Sequence, residues 1–146
     1  MKKIIVYTDG GSRGNPGPSS IGVVICDEKG KMIKEYAETI GVGTNNEAEY
    51  KAVIFALKKI KALYGKNTIK SLETEVRSDS ELLINQLNGQ YKVLEPKIQA
   101  LFINVWNLRI EFKDLKFTAI SRENNKEADK LVNEALDNES KKQTLF

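Results

Sequence analysis

The alternation of apolar and polar positions predicts strands at the start of the 146-residue chain. Ile4–Tyr7 is apolar on both alternating faces, which is typical of a buried central strand. Ile21–Cys26 predicts a second strand and Lys31–Thr39 a third. Because only a short turn signal at Glu28–Gly30 separates these two, we expect them to pair as an antiparallel hairpin.

Three longer segments repeat apolar residues at helical spacing. The first, Thr44–Tyr64, begins with Thr44 as a candidate N-cap and has Glu47 at the capping-box position. The second, Pro96–Leu108, is apolar nearly all round, which predicts that the helix is well buried. The third runs from Lys126 to about Asn138.

Two further strands are predicted at Leu72–Ser78, where apolar and charged residues alternate, and at Leu115–Ile120. A short helix follows Ser80. Because a long helix separates the first and fourth strands, we expect this pair to be parallel. Asp9 and Asp79 would then lie at the carboxyl ends of neighbouring strands, the edge at which open α/β sheets bind ligands.

Composition limits the kinds of site that the chain can hold. An apolar content of 40% and a charged content of 29% are ordinary for a soluble domain. We expect one cytoplasmic domain over residues 1–138 and a flexible tail over residues 139–146. With no histidine and with Cys26 as its one cysteine, the chain lacks the ligands for imidazole or thiolate metal sites and for histidine-based triads. Any metal must be a hard cation bound by oxygen. The net charge of +3 does not by itself indicate a nucleic-acid partner.

Four acidic residues are predicted to face one edge of the sheet. They come from four different elements and are Asp9, Glu49, Asp79 and Asp129. Glu49 shares the apolar stripe of its helix, where an acid is unfavourable unless it is paired or binds a metal. Four gathered carboxylates repel one another unless cations neutralise them. This arrangement predicts two Mg²⁺ ions about 4 Å apart that act on a phosphodiester, with Mn²⁺ as the second candidate.

Three of the four acids also have a plainer interpretation when each is considered alone. Asp9 with Gly10 is a common hairpin turn, and Asp79 precedes a helix that it could cap. Asp129 could be a solvent-facing acid that is favoured by the helix dipole. These alternatives remain open for the single residues.

Five short motifs occur together in one order. They are Tyr7–Ser12, Gly14–Gly17, Thr44–Glu49, Ser78–Ser80 and Glu127–Asp129. Their order and spacing resemble type 1 ribonuclease H over nearly the whole chain. The resemblance implies the α/β RNase H fold, a mixed five-stranded sheet of order 3-2-1-4-5 flanked by helices. It also implies a two-metal endonuclease that cuts the RNA strand of RNA–DNA hybrids to give 5′-phosphate and 3′-hydroxyl ends. The family's four metal ligands fall on the four acids named above.

The same resemblance implies a set of substrate contacts. The residues concerned are Gly11, Ser12, Asn15, Thr44, Asn45, Asn46 and Asn85. Asn15, Asn46 and the backbone at Gly11–Ser12 would contact 2′-hydroxyl groups of the RNA strand. Asn45 would lie near the DNA strand, and Thr44 with Asn85 would bind a DNA phosphate.

The chain departs from the family pattern in several places. Many relatives have a histidine in the loop before the last acid, whereas Ser121–Asn125 has none and offers Arg122 or Glu123 as the substitute. Asn88–Glu95 stands where some relatives carry a basic, tryptophan-rich protrusion. Val42 replaces a basic residue near the phosphate pocket. We also expect no additional N-terminal hybrid-binding domain.

The expected partner is an RNA–DNA hybrid, and we expect the protein to be a monomer. Gln143–Phe146 ends in two apolar residues and is a candidate peptide for docking to a replication partner. An alternative from a different class is a nucleic-acid-binding module that kept the fold and lost catalysis. The presence of all four acids argues against that alternative.

Overall fold

The computed structural model describes residues 2–144, except for the side chain of Thr144. Its five strands form one sheet of order β3-β2-β1-β4-β5, which confirms the predicted order. The strands are β1 (Lys3–Ser12), β2 (Gly17–Asp27), β3 (Met32–Gly43), β4 (Glu73–Ser78) and β5 (Asp114–Ala119). The helices are α1 (Asn45–Tyr64), α2 (Lys66–Ile69), α3 (Glu81–Leu87), α4 (Pro96–Arg109) and α5 (Lys126–Thr144), with a 3₁₀ segment at Arg122–Asn125.

The pairing of the sheet changes direction at β1. Strands β1, β2 and β3 pair antiparallel, and β1, β4 and β5 pair parallel, as predicted. The pairing of β1 with β4 ends at Tyr7 and Arg77. The pairing of β1 with β2 continues through Asp9 to Ser12. Asp9 is therefore inside a strand, so the hairpin-turn interpretation of Asp9 is wrong, and β1 and β4 separate just before the acid.

The two faces of the sheet pack against different helices. Ile4 and Val6 of β1 belong to the larger core, which includes residues of α1, α3 and α4. Ile5 lies on the opposite face and packs in a small cluster with Leu131 of α5. Because side chains alternate along a strand, Asp9 belongs to the face that carries Ile5, and Gly10 belongs to the face that carries α1.

Two glycines allow helices to contact the sheet closely beside Asp9. A Cβ atom at Gly10 would lie 2.3 Å from the backbone of Ala48 in α1, and one at Gly22 would lie 2.2 Å from the Ala128 carbonyl oxygen in α5. No other residue fits at either position without moving a helix. These contacts determine how closely α1 and α5 lie to the sheet, and therefore where Glu49 and Asp129 are placed.

Helix α1 begins and ends as predicted. The Thr44 hydroxyl accepts a hydrogen bond from the Glu47 N–H at 3.1 Å, and Gly65 follows the last residue. Residues 88–95 join α3 to α4 as a short connection, without a protrusion.

The prediction that α4 is well buried is wrong. Only Ile98, Val105 and Leu108 are buried, whereas Ile103 is 54% exposed and Trp106 is 48% exposed. The helix packs through one side against α1. Within the described residues nothing covers its outer side.

The predicted end of α5 near Asn138 is also wrong, because the helix continues to Thr144. The added residues include glutamate, lysine and glutamine, which are good helix formers, and no glycine or proline ends the helix earlier. Leu145 and Phe146 of the predicted docking peptide lie outside the described residues. None of the helices in the described part of the chain is long and apolar enough to span a membrane.

Candidate active site

A cleft of about 650 Å³ opens where β1 and β4 separate. All four predicted acids line it. Of the predicted substrate contacts and loop residues, the cleft is lined by Gly11, Ser12, Asn15, Asn45, Asn46 and Arg122. Residues from β1, α1 and α5 thus meet at the predicted edge of the sheet with the segment that follows β4 and the 3₁₀ segment that follows β5.

Three of the acids form a compact cluster. Asp9, Glu49 and Asp79 each place a carboxylate oxygen within 4.8 Å of the other two. Asp9 and Glu49 are buried, and Asp79 is partly buried directly after β4. The cluster therefore combines one acid from a strand, one from a helix and one from a strand end.

Hydrogen bonds hold Glu49 in a fixed orientation. The Gly10 N–H donates to Oε1 of Glu49 at 3.1 Å, and the Ser78 hydroxyl donates to Oε2 at 3.3 Å. The close contact of β1 with α1 at Gly10 makes the first of these bonds possible. Both carboxylate oxygens of Glu49 thus have a donor even though the side chain is 8% exposed.

Asp129 lies at the rim of the cleft. It is exposed in the first turn of α5 and is outside the three-acid cluster. It is nevertheless close enough to both Asp9 and Asp79 to raise the pKa of each carboxyl. The position is also one that the helix dipole favours for an acid, so the plainer interpretation of Asp129 holds alongside its place in the cleft.

The interpretation of Asp79 as a helix cap is wrong. Ser80 is the N-cap of α3, and its hydroxyl accepts a hydrogen bond from the Leu83 N–H at 3.2 Å. The carboxylate of Asp79 instead belongs to the acid cluster.

Burial and mutual repulsion make full ionisation of the cluster unfavourable. Burial raises the pKa of Asp9 to about 7, with repulsion from Asp79 and Asp129 adding to the effect and a hydrogen bond with Glu49 opposing it. Burial and the charge of Asp9 raise the pKa of Glu49 well above its usual value. Burial also raises the pKa of Asp79, while the Arg122 guanidinium opposes that rise. Carboxylate oxygens at this spacing fit a hard divalent cation, which would neutralise them.

Two asparagines connect the β1–β2 turn to the start of α1. The Ser12 N–H donates to Oδ1 of Asn45 at 2.9 Å, and the Asn45 N–H donates to Oδ1 of Asn15 at 3.0 Å. These bonds use the amide oxygen of each side chain inside the protein. The group that each side chain can offer to a ligand is therefore its NH₂.

The remaining predicted contacts differ in position. Asn46 lines the cleft, and its buried Oδ1 has no hydrogen-bond partner among the described residues. Thr44 caps α1 and does not line the cleft. Asn85 is half-buried on α3, also outside the lining, and its carbonyl oxygen accepts from the N–H groups of Gln90 and Tyr91. The phosphate pocket formed by Thr44 and Asn85 stays a prediction.

The structure separates the two candidates for the missing loop histidine. Arg122 lines the cleft beside Asp79. Glu123 instead lines a second cavity of about 550 Å³, together with Tyr7 and Cys26. Of the two, Arg122 is the residue that can act in the cleft.

Sequence reasoning missed two residues at this site. Arg13 lines the cleft and forms an ion pair with Asp137 of α5 at 2.6 Å. Its position as a basic residue inside the glycine-rich turn could have drawn attention to it. Asn125 is buried beside the acids. The polar residues around it in the sequence gave no signal of that burial.

Comparison with known proteins identifies relatives over most of the chain. The family model described as "Reverse transcriptase-like" matches residues 7–135. Ribonuclease HI of Halobacterium salinarum is 39% identical over 92% of this chain. The chain spans 65% of that protein's length and 36% of the length of a 34% identical bifunctional protein of Mycobacterium tuberculosis.

Solved structures give the same result. LC11-RNase H1, isolated from compost by a metagenomic approach, superposes with a TM-score of 0.89 at 49% identity, covering 94% of this chain and 98% of that chain. The same enzyme in complex with an RNA/DNA hybrid superposes with a TM-score of 0.88 at 48% identity, covering 92% and 97%. The fold, the motif order and these relatives agree, and the chain belongs to the reverse transcriptase-like family as a type 1 ribonuclease H.

Proposed function

We propose that this protein is an endonuclease that hydrolyses the RNA strand of RNA–DNA hybrids and leaves 5′-phosphate and 3′-hydroxyl ends. The observation that carries the proposal is the cluster of Asp9, Glu49 and Asp79 in a cleft lined by asparagines. Support also comes from a relative named Ribonuclease HI and from the related enzyme whose structure holds an RNA/DNA hybrid.

The acids would hold two divalent ions, with Mg²⁺ as the first candidate and Mn²⁺ as the second. Asp9, Glu49 and Asp79 offer clustered oxygens, and Asp129 offers its carboxylate from the rim. When bound, such ions supply an activated water at neutral pH and neutralise charge on the leaving oxygen. The Gly10 N–H keeps Glu49 aimed into the cluster.

Arg122 would provide the positive charge that a phosphate needs in this cleft. Its guanidinium already opposes the rise that burial causes in the pKa of Asp79, so it lies close to the acids. A guanidinium stays charged at any working pH and can bind two phosphate oxygens together. We therefore assign Arg122 the role of a phosphate contact in place of the missing histidine.

The asparagines would distinguish RNA from DNA. A 2′-hydroxyl both donates and accepts hydrogen bonds. The NH₂ groups of Asn15 and Asn45 can donate to it. Asn46 lines the same cleft and is a further proposed contact. The backbone at Gly11–Ser12 lies in the same wall of the cleft. Thr44 and Asn85 remain proposed contacts to a phosphate of the DNA strand.

A cleavage assay tests this function directly. Purified protein is given an RNA–DNA hybrid, a DNA duplex or an RNA duplex in Mg²⁺, in Mn²⁺ and in EDTA. We expect cleavage of the RNA strand of the hybrid only, and none in EDTA. Asp9→Asn and Asp79→Asn should each lower turnover at least about a thousandfold, since each removes a charged ligand from the cluster.

Asp114→Asn is the matched control for these variants. Asp114 begins β5 and so lies at the opposite edge of the parallel strands from the cleft. Its variant should cleave like the wild type. Equal cleavage of a DNA duplex would indicate a different nuclease activity. Tight hybrid binding without cleavage in either metal would support the non-catalytic binding module.

Three further expectations belong to the proposal. We place the protein in the cytoplasm as a monomer, and we assign residues 143–146 to docking on a replication partner. Light scattering of the purified protein tests the monomer. Deleting residues 143–146 should abolish binding to a purified replication clamp and leave hybrid cleavage unchanged. Unchanged clamp binding would refute the docking role.

A further inference from the structure

Asn125 occupies an unusual position for a polar residue. It ends the 3₁₀ segment and is only 1% exposed. Its Nδ2 donates to the carbonyl oxygen of Thr8 at 2.9 Å. Its side chain also lies close enough to Asp79 for hydrogen bonding that opposes the rise in the pKa of that carboxyl. One amide group thus contacts both the backbone next to Asp9 and the side chain of a second cluster acid.

These contacts lie where the sheet itself no longer joins the two strands. The β1–β4 pairing ends at Tyr7 and Arg77, so the register has no pair between Thr8 and Ser78. Just beyond that point Asn125 donates to Thr8 of β1 and lies beside Asp79, the residue that follows β4. It therefore bridges the gap between the strands that carry Asp9 and Asp79.

Asn125 also fixes the start of α5. It directly precedes Lys126, the first residue of the helix, and lies four residues before Asp129. The contact of Gly22 with Ala128 anchors the same turn from β2. Two anchors on one helical turn leave Asp129 little freedom to leave the rim of the cleft.

Packing alone does not explain an asparagine here. Oδ1 of Asn125 is buried and has no hydrogen-bond partner within residues 2–144. A buried acceptor without a partner is unfavourable, and an apolar side chain of similar volume would avoid it. The NH₂ group is the part of the side chain that makes contacts.

We propose that Asn125 is a positioning residue of the active site, which holds Asp9, Asp79 and the first turn of α5 in the arrangement that binds metal. The inference rests on the proposed function for its catalytic consequence. The dependence of metal affinity on the side-chain amide of Asn125 does not require that function. Partners that orient metal ligands from outside the coordination sphere are known to act in this way.

The experiment compares Asn125→Ala with Asn124→Ala. Asn124 is the exposed neighbour in the same 3₁₀ segment and does not line the cleft. Mn²⁺ and Mg²⁺ affinities are measured by calorimetry without substrate, and kcat and KM on a hybrid are measured separately. Asn125→Ala should weaken metal binding and lower kcat about tenfold or more while KM changes little, which is the effect typical of such positioning partners. Asn124→Ala should match the wild type.

Folding is checked by circular dichroism and thermal unfolding. If Asn125→Ala does not fold, Asn125→Leu fills the same space without the amide, and the same losses are expected. Wild-type metal affinity and kcat in a folded variant would overturn the proposal and make Asn125 a packing residue. If the wild type binds metal but does not cleave hybrid, the proposed function fails, and the calorimetric comparison still decides the role of Asn125.

Discussion

At the scale of single residues, the acid cluster makes stability depend on pH. Burial among two other acids raises the pKa of Asp9 to about 7. An acid whose pKa is higher in the folded than in the unfolded protein favours folding while it is protonated. That contribution is lost as the pH rises from about 4 through the folded pKa. Glu49 and Asp79 shift in the same direction.

We therefore predict that the metal-free protein unfolds at a higher temperature at pH 5.5 than at pH 8. A difference of about 5 °C would correspond to roughly 1–2 kcal/mol in a domain of this size. Mg²⁺ should raise the Tm more at pH 8, where the acids are charged and bind it. The measurement is thermal unfolding in EDTA and in Mg²⁺ at both pH values.

Asp9→Asn serves as the control, since it should flatten this pH dependence. The buried acid Glu75 does not contribute to the pH dependence of stability in this range. Burial opposes its ionisation, but hydrogen bonds from Arg77 and Lys3 prevail and lower its pKa to about 2. Its contribution is therefore constant between pH 5.5 and pH 8. Higher stability of the metal-free wild type at pH 8 would contradict the electrostatics described for the cluster.

At the scale of secondary-structure elements, Gly10 determines how closely β1 and α1 approach. A methyl group there would lie 2.3 Å from the Ala48 backbone and 2.5 Å from the Glu49 nitrogen. Since backbone atoms cannot rotate away, Gly10→Ala should push the helix from the strand and lower the free energy of unfolding by about 2–3 kcal/mol. The shift would also move Glu49 and abolish most metal binding.

Gly43→Ala provides a matched comparison. A Cβ atom at Gly43 would meet no atom closer than 3.5 Å, which is ordinary contact. Its unfolding free energy should change by less than about 1 kcal/mol, as for substitutions without a clash. Denaturant unfolding and Mg²⁺ calorimetry measure both effects. Equal stability of the two variants would show that α1 can move aside at Gly10.

Helix α4 gives a second prediction at this scale, because its two sides differ in exposure. Ile98 is 1% exposed, and Ile103 is 54% exposed. Ile98→Ala should lower the unfolding free energy by about 2–5 kcal/mol, the range for truncating a buried side chain. Ile103→Ala should cost less than about 1 kcal/mol. Similar losses at both sites would mean that the outer side of α4 is covered in solution.

At the scale of the whole molecule, the strand order of the sheet and the meeting of the four acids at one edge of it could be predicted from the sequence. Glu49 could be assigned to the cleft because an acid interrupts the apolar stripe of a helix. The choice between Arg122 and Glu123 could not be made, since adjacent residues of a 3₁₀ turn point in different directions. Periodicity identifies the apolar residues of α4, but it does not show how many other elements pack against the helix and bury them. Asn125 was missed because its burial depends on strands distant in sequence.

The extent of the domain can be tested by shortening α5. The last buried residue that the structure describes in this helix is Leu136, and the ion pair of Arg13 with Asp137 also precedes residue 138. Removal of residues 139–146 should therefore leave hybrid cleavage within about twofold and lower the unfolding free energy by less than about 1 kcal/mol. Leu131→Ala, which truncates a buried contact between α5 and the sheet, should cost about 2–5 kcal/mol and sets the scale. Because α5 continues through residues 139–144 without a break, a truncated protein that fails to fold would place these residues inside the domain and refute its predicted boundary at residue 138.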